Sequence, residues 1–299
     1  MTILITGGGS SIGTKLAYLL QACKVQVLFG SRSGRRIPPS LPSVKFDWHD
    51  PSTFDNPFHW AFEQQSLHPA ATRITAVYII GPTNTVNPAK YVAPFIDLAA
   101  EKGVKRFVYL SASGADKNND TGGLGRIPGY LEEKGLDWVA LRPTWFIDNL
   151  ATEMGMDIKQ KGQFETVVPT GRIPFVATED IATAALEALT NDKTEARNVV
   201  VVGPELLTYD NLADKVSEVL GRKIIHKAVS PGERLKFYLL FASEDIAEWL
   251  IKVELEAEVG SEAVWPSLSL HDQQARNLKV FVGKLCAKDW LLKHKDLFL

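Results

Sequence analysis

Cysteine is almost absent: Cys23 and Cys286 stand at opposite ends of 299 residues, with no C-x-x-C spacing. This excludes a disulfide scaffold and a cysteine-based zinc site, and it fits a reducing compartment. The six histidines (49, 59, 68, 226, 271, 294) form no H-x-x-x-H pair, so no metal is expected. Charge of one sign is also missing. Thirty-three Lys and Arg face 35 Asp and Glu, a formal net charge of −2, which sets up no field for nucleic acid or an anionic membrane. No apolar run approaches the roughly 18 residues that span a bilayer. Residues 2–6 (TILIT) already read as a strand, which leaves no room for the parts of a signal peptide. The expectation is a cytoplasmic protein acting on a small molecule. The sequence leaves its oligomeric state open.

What is present is a 45% hydrophobic chain with 22 Gly and 16 Pro, enough to bury a large core. Short apolar runs at 2–6, 25–29, 44–46, 74–80, 104–110 and 138–141 alternate with helix-period segments at 12–22, 59–66 and 89–102. A seventh strand is expected at 198–202, after a helix carrying Glu179 and Asp180 in its first turn. The pattern predicts an α/β fold, a Rossmann-like doubly wound parallel sheet. From Pro204 the character changes to helices at 209–220, 233–240, 244–256 and around 277–290, with one strand-like run at 223–225. Residues 1–203 are therefore expected to form the dinucleotide domain and 204–299 a smaller, mostly helical lobe that caps the substrate, with 151–172 contributing to the cleft. A Gly-rich loop at 114–129, including Asn118, Asn119, Asp120, Gly122, Gly123 and Gly125, has the length and composition of a lid.

Directly after the first strand comes Thr6-Gly7-Gly8-Gly9-Ser10-Ser11-Ile12-Gly13, opening into a helix. Gly7, Gly9 and Gly13 let backbone approach a pyrophosphate, whose charge the N–H groups and dipole of the helix N-terminus stabilise. The plainer reading is an ordinary tight turn. The second strand ends in Gly30-Ser31-Arg32-Ser33, with none of the carboxylate that usually takes the ribose hydroxyls of NAD. Arg32, with Arg36, can clamp a 2′-phosphate, which predicts NADP(H). The alternative is a solvated basic turn.

These blocks, together with Phe46-Asp47-Trp48, Leu110-Ser111-Ala112-Ser113, Leu141-Arg142-Pro143-Thr144-Trp145-Phe146 and Gly203-Pro204-Glu205-Leu206-Leu207-Thr208-Tyr209-Asp210, resemble the NmrA-like atypical short-chain dehydrogenases. Within that family the likeness is strongest to the fungal festuclavine and agroclavine dehydrogenases of ergot alkaloid biosynthesis. It covers most of the first 225 residues and fades over the last 70. The resemblance implies an NADPH-binding domain with a small lobe closing over the nicotinamide. It implies that Gly7 to Gly13, with Ser10, Ser11 and Ile12, hold the pyrophosphate, and that Ser31 and Arg32 hold the 2′-phosphate. Asp47 and Trp48 are then near the adenine, Gly81, Pro82 and Thr83 along the cofactor, and Ser111, Ala112 and Ser113 near the nicotinamide ribose. Pro143, Thr144, Trp145 and Phe146 are at the carboxamide and substrate floor. Two departures stand out: Ser10 or Ser11 replaces a superfamily glycine, and Arg126 and Pro128 stand where the ergot enzymes carry Lys and His.

Tyr130-Leu131-Glu132-Glu133-Lys134 spells the Y-x-x-x-K of short-chain dehydrogenases, making Tyr130 a candidate acid. Gly135 follows at once, however, placing the pair at the far end of its helix, where packing is the plainer role. Hydride addition to an iminium gives a neutral amine and needs no acid, whereas a ketone does. The expected reaction is thus reduction of a C=N in an indole alkaloid intermediate. Trp145, Phe146 and Trp249 would supply π surface for the substrate, and Asp148 negative charge as a catalytic candidate. Each of these has a core-packing or helix-start reading beside it. Glu244, Asp245, Glu248, Glu254 and Glu256 read mostly as a solvated helix face, with the alternative that one of them points into the cleft. Two rival functions share the cofactor site: a non-redox Pictet-Spengler-type iminium cyclase, which needs acid and base groups, and an NADP(H)-sensing interaction protein like NmrA itself.

Overall fold

The computed structural model describes residues 1–67, 73–118, 120, 123–191 and 196–299. Asn119 and Gly122 of the Gly-rich loop lie outside them. Six parallel strands carry the first half of the chain: β1 (Thr2–Ile5), β2 (Gln26–Ser31), β3 (Ser43–Lys45), β4 (Ile74–Ile79), β5 (Arg106–Leu110) and β6 (Asp137–Pro143). Their spatial order is β6-β5-β4-β1-β2-β3, so the winding reverses between β1 and β4. This is the arrangement in which a dinucleotide lies across the carboxyl ends of the strands at the switch point. The remaining strands are β7 (Gln163–Thr166), β8 (Asn198–Val202), β9 (Ile225–Ala228) and β10 (Leu278–Val282). β8 and then β10 continue the main sheet beyond β6 to make eight strands, and β7 pairs in parallel with β9. The α/β, Rossmann-like expectation holds.

Contacts divide the chain into two compact units, Met1–Arg142 with Ile181–Val199, and Pro143–Asp180 with Val200–Leu299. In the first, every residue of β1 is buried, as a strand covered on both faces requires. One face packs Leu4, Val77, Ile79 and Phe107 against Val92, Phe95, Ile96 and Ala99 of the helix Ala89–Glu101. In the second, Phe164 of β7, Val216 of the helix Tyr209–Leu220 and Trp290 of the helix Ala287–Lys293 share one core.

Three expectations change in the second unit. The segment expected as a helix around 277–290 splits into β10 and the helix Ala287–Lys293. Leu278 and Val280 point to one side and pack with Val200 and Val202, a period of two rather than 3.6. The strand expected at 223–225 begins instead at Ile225, because the Ile224 N–H donates to Ser217 Oγ (2.8 Å) in the turn that closes the preceding helix. β7 was not foreseen; its four residues alternate, with Phe164 and Thr166 buried. The helices Pro231–Tyr238 and Glu244–Glu258 fall where expected. Among the described residues no helix is long and apolar enough to cross a membrane, and no cluster of His, Cys, Asp and Glu is arranged to hold a metal.

Candidate functional site

The turn after β1 is fixed from behind. Thr6 is fully buried, and its Oγ accepts the Ile80 N–H (2.9 Å) at the end of β4. Gly7 and Gly9 have φ of +67° and +87°, and a Cβ on either would come within 2.8 Å of Ile80 or Arg36 respectively. Neither position accepts a side chain, so the glycines bring bare backbone to the surface. Ser10 caps the helix Ser11–Ala22: its Oγ accepts the Gly13 N–H (3.1 Å). Buried Ile12 anchors the first turn, and its own N–H has no protein acceptor among the described residues. Exposed Ser11 accepts a hydrogen bond from Lys15 (2.9 Å).

After β2, Ser31 is buried and shapes the turn rather than facing solvent, its Oγ accepting the Gly34 N–H (3.1 Å). Arg32, Arg35 and Arg36 are exposed, and none meets a carboxylate among the described residues. Arg36 flanks Gly9, and Lys45 Nζ donates to the Arg32 carbonyl (2.8 Å). After β3, the Asp47 carboxylate accepts the His49 N–H (3.0 Å), closing a turn. Trp48 is buried against Phe46, Phe54 and Phe95, and its Nε1 donates to the Ile80 carbonyl (3.0 Å). It braces the strand end that leads into half-buried Gly81 and Pro82 and exposed Thr83.

After β5, the Ser111 N–H donates to the Leu141 carbonyl (2.8 Å), while its buried Oγ has no partner among the described residues. Ala112 is half-buried and Ser113 buried. Arg142, at the end of β6, donates to the Ser113 carbonyl (2.5 Å) and to Asp116 Oδ2 (3.2 Å). In the Gly-rich loop Asp120 accepts the N–H groups of Gly123 (3.0 Å) and Gly125 (2.9 Å). Of the residues expected to bind cofactor, all but Pro143 and Thr144 follow the carboxyl ends of β1 to β5 in turn, and their chemistry fits a dinucleotide: a cradle that a Cβ would fill, unpaired guanidiniums and a buried hydroxyl without a partner among the described residues.

Tyr130 is placed elsewhere. Its hydroxyl donates to Asp97 Oδ2 (2.6 Å) on the helix Ala89–Glu101, and Lys134 pairs with Asp97 Oδ1 (2.8 Å). Burial and the Asp97 carboxylate push the Tyr130 phenol up despite Lys134, the wrong direction for an activated proton donor. At Asp97 desolvation acts upward, but hydrogen bonds from Lys134 and Tyr130 outweigh it and hold the carboxyl low.

In the second unit, Pro143 and Thr144 are buried, and Thr144 Oγ donates to the Pro174 carbonyl (2.6 Å). Half-buried Phe146 forms a β-bridge with Val176, and half-buried Trp145 packs on the unit's core. Asp148 accepts both the Thr178 hydroxyl (2.6 Å) and its N–H (3.0 Å), fastening the start of the helix Thr178–Thr190. Trp249 is 38% exposed. The solvated-face reading fails at one residue: Glu254 is 1% exposed. One oxygen receives Arg234 Nε (3.0 Å) and the Tyr238 hydroxyl, and the other accepts the Val167 N–H (3.1 Å). One turn on, Glu258 accepts the N–H groups of Thr170 (3.0 Å) and Gly171 (2.7 Å). The i, i+4 spacings Arg234/Tyr238 and Glu254/Glu258 were the available signal for this cluster.

Residues 60–192 match the NAD(P)H-binding family profile. Festuclavine synthase I of Penicillium roqueforti is 38% identical over 235 residues, covering 78% of this chain and 79% of that protein. Agroclavine dehydrogenase of Claviceps fusiformis is 36% identical over 238 residues, 78% of each chain. Among solved structures, triphenylmethane reductase of Citrobacter sp. complexed with NADP(H) superposes with a TM-score of 0.72 at 19% identity, covering 98% of this chain and 99% of that one; at that identity the likeness concerns the fold. The chain belongs to the NAD(P)H-binding, NmrA-like family that includes the festuclavine and agroclavine dehydrogenases.

Proposed function

We propose that this protein is an NADPH-dependent reductase that saturates the C=N bond of an iminium in an indole alkaloid intermediate, working in the cytoplasm on a small molecule. The reading rests on the two candidate acids, both already engaged: Tyr130 is held by Asp97, and Asp148 by Thr178. Bound NADPH supplies the hydride. The glycine turn and the helix N-terminus hold the pyrophosphate, and Arg32 and Arg36 hold the 2′-phosphate. Ser111 to Ser113 take the nicotinamide half, Trp48 stiffens the strand end beside it, and Trp145, Phe146 and Trp249 offer aromatic surface to a planar cation. Residues 204–299, with 151–172, serve as the substrate lobe. Because the acceptor is already cationic, its reduction ends at a neutral amine and no side chain has to give up a proton.

The relatives' names support this substrate class. A cyclase would need an acid and a base; the buried carboxylate that would favour it, Glu254, already receives hydrogen bonds from Arg234, Tyr238 and Val167. The test is incubation with an indole-derived iminium and NADPH. Stoichiometric loss of the cofactor's near-ultraviolet absorbance with formation of the amine is expected. Product formed without NADPH consumption points to the cyclase. No turnover, together with a partner whose binding follows the NADP⁺ to NADPH ratio, points to a sensor.

A further inference from the structure

We propose that Arg142 is a positioning residue that sets the 111–116 segment to receive the nicotinamide half of the dinucleotide. The proposal rests on the assignment of the carboxyl edge to NADPH.

A guanidinium is costly to bury, yet the Arg142 side chain is 5% exposed. Its planar fork reaches three acceptors on one short loop: Nε to the Ala112 carbonyl (3.4 Å), Nη2 to the Ser113 carbonyl (2.5 Å) and Nη1 to Asp116 Oδ2 (3.2 Å). Lysine has no equivalent geometry. The Ala112 carbonyl already accepts the Ala115 N–H (3.0 Å), so that turn closes without the arginine. What Arg142 adds is orientation. In a planar trans peptide, C=O and N–H point in opposite directions. Drawing the Ser113 carbonyl toward Arg142 therefore turns the Gly114 N–H away from it. Gly114 is exposed, a Cβ there would meet nothing within 4 Å, and its N–H has no protein acceptor among the described residues. Three positions earlier, Ser111 Oγ is buried without a partner among the described residues. The segment thus presents one donor and one hydroxyl that the protein leaves unsatisfied, which suits a ribose hydroxyl or a carboxamide.

The strand order gives the direction. The 2′-phosphate arginines follow β2, on one side of the glycine turn after β1. β4 and β5 lie on the other side, where a dinucleotide crossing the switch point places its second half. The Arg142 acceptors named above lie on the loop after β5, so its positioning bears on the nicotinamide half rather than on the adenine half.

The test compares two probes on the purified full chain. NADPH spans both halves, whereas adenosine 2′,5′-bisphosphate carries the adenine half alone. For Arg142→Lys, NADPH affinity measured calorimetrically is expected to fall about tenfold, with affinity for the bisphosphate within about twofold of wild type. Equal weakening of both probes, or no change in either, overturns the proposal. Should R142K fail to fold, Asp116→Asn loosens the fork without emptying the site, and the same split is expected on a smaller scale; its absence likewise overturns the proposal. A wild-type chain that binds neither probe defeats the cofactor assignment instead. Neither measurement uses the alkaloid substrate, so failure of the iminium reading leaves this result standing.

Discussion

The carboxyl edge of the first unit and the Glu254 cluster of the second treat polar groups in opposite ways. Along the carboxyl edge of the first, groups are braced from behind and left open in front: Ser111 Oγ and the N–H groups of Ile12 and Gly114 have no protein partner, and three arginines after β2 meet no carboxylate among the described residues. In the second, one cluster ties its polar groups to one another, while Trp290 Nε1 is buried without a partner among the described residues. Glu254 takes Arg234, Tyr238 and Val167, Glu258 takes Thr170 and Gly171, and His226 is held between Thr166 (2.8 Å) and Asp210 (2.8 Å). Unsatisfied polar groups cost stability, a cost that a bound ligand offsets where it completes them. The contrast sets the carboxyl edge, which we propose binds the dinucleotide, apart from the Glu254 cluster, a structural lock.

The largest effect should come from breaking that lock. Glu254→Ala leaves the Arg234 guanidinium, stacked on Tyr238 (4.5 Å), buried without its counter-charge, and a loss of about 3–5 kcal/mol is expected in denaturant melts. Combining it with Arg234→Met should restore much of the loss, since no charge then remains to be paired. A double variant as unstable as the single one would contradict the lock. NADPH binding by whatever fraction remains folded should not change, because no group of the cluster belongs to the carboxyl edge.

The first unit answers to a different measurement. Arg32→Ala removes an exposed, unpaired side chain, so melting should shift little, while the preference for NADPH over NADH should fall roughly tenfold, the loss of one charge-assisted contact. An unchanged ratio would remove the 2′-phosphate assignment. The substitution therefore separates binding from stability where Glu254→Ala does the reverse.

Sequence made the first unit more legible than the second for a physical reason. A backbone that must approach a ligand writes itself as glycines at fixed spacing, and the replacement of a carboxylate by Arg32 after β2 is visible residue by residue. Arg142 was visible only as part of a shared L-R-P-T block. Its role depends on carbonyls 29 and 30 residues earlier in the chain, and carbonyls carry no sequence signal. Glu254 reads as one more acid on a polar helix, because its partner Arg234 lies 20 residues away across a turn. The alternation Leu278-Lys279-Val280-Phe281-Val282 is present in the sequence, yet a five-residue run beside a helix is easily absorbed into it. Y-x-x-x-K is the opposite case, a motif present in letters whose packing role was the plainer reading.

That motif gives the smallest expected effect and the finest test of the contrast. Tyr130 belongs to the first unit but is satisfied in the manner of the second, tied to Asp97 between two helices. Tyr130→Phe should leave iminium turnover at wild-type level and cost at most about 1 kcal/mol, since the contact is partly exposed. The Asp97 carboxyl is held below its ordinary range, so its contribution is present above the unfolded-state value and is lost as pH falls through the lowered folded value. The stability gap between wild type and Y130F should accordingly be full at neutral pH and narrow only in strong acid. A turnover loss of a hundredfold with an unchanged melting curve would return Tyr130 to the chemistry, and the reduced bond would then have to be one whose product needs a proton.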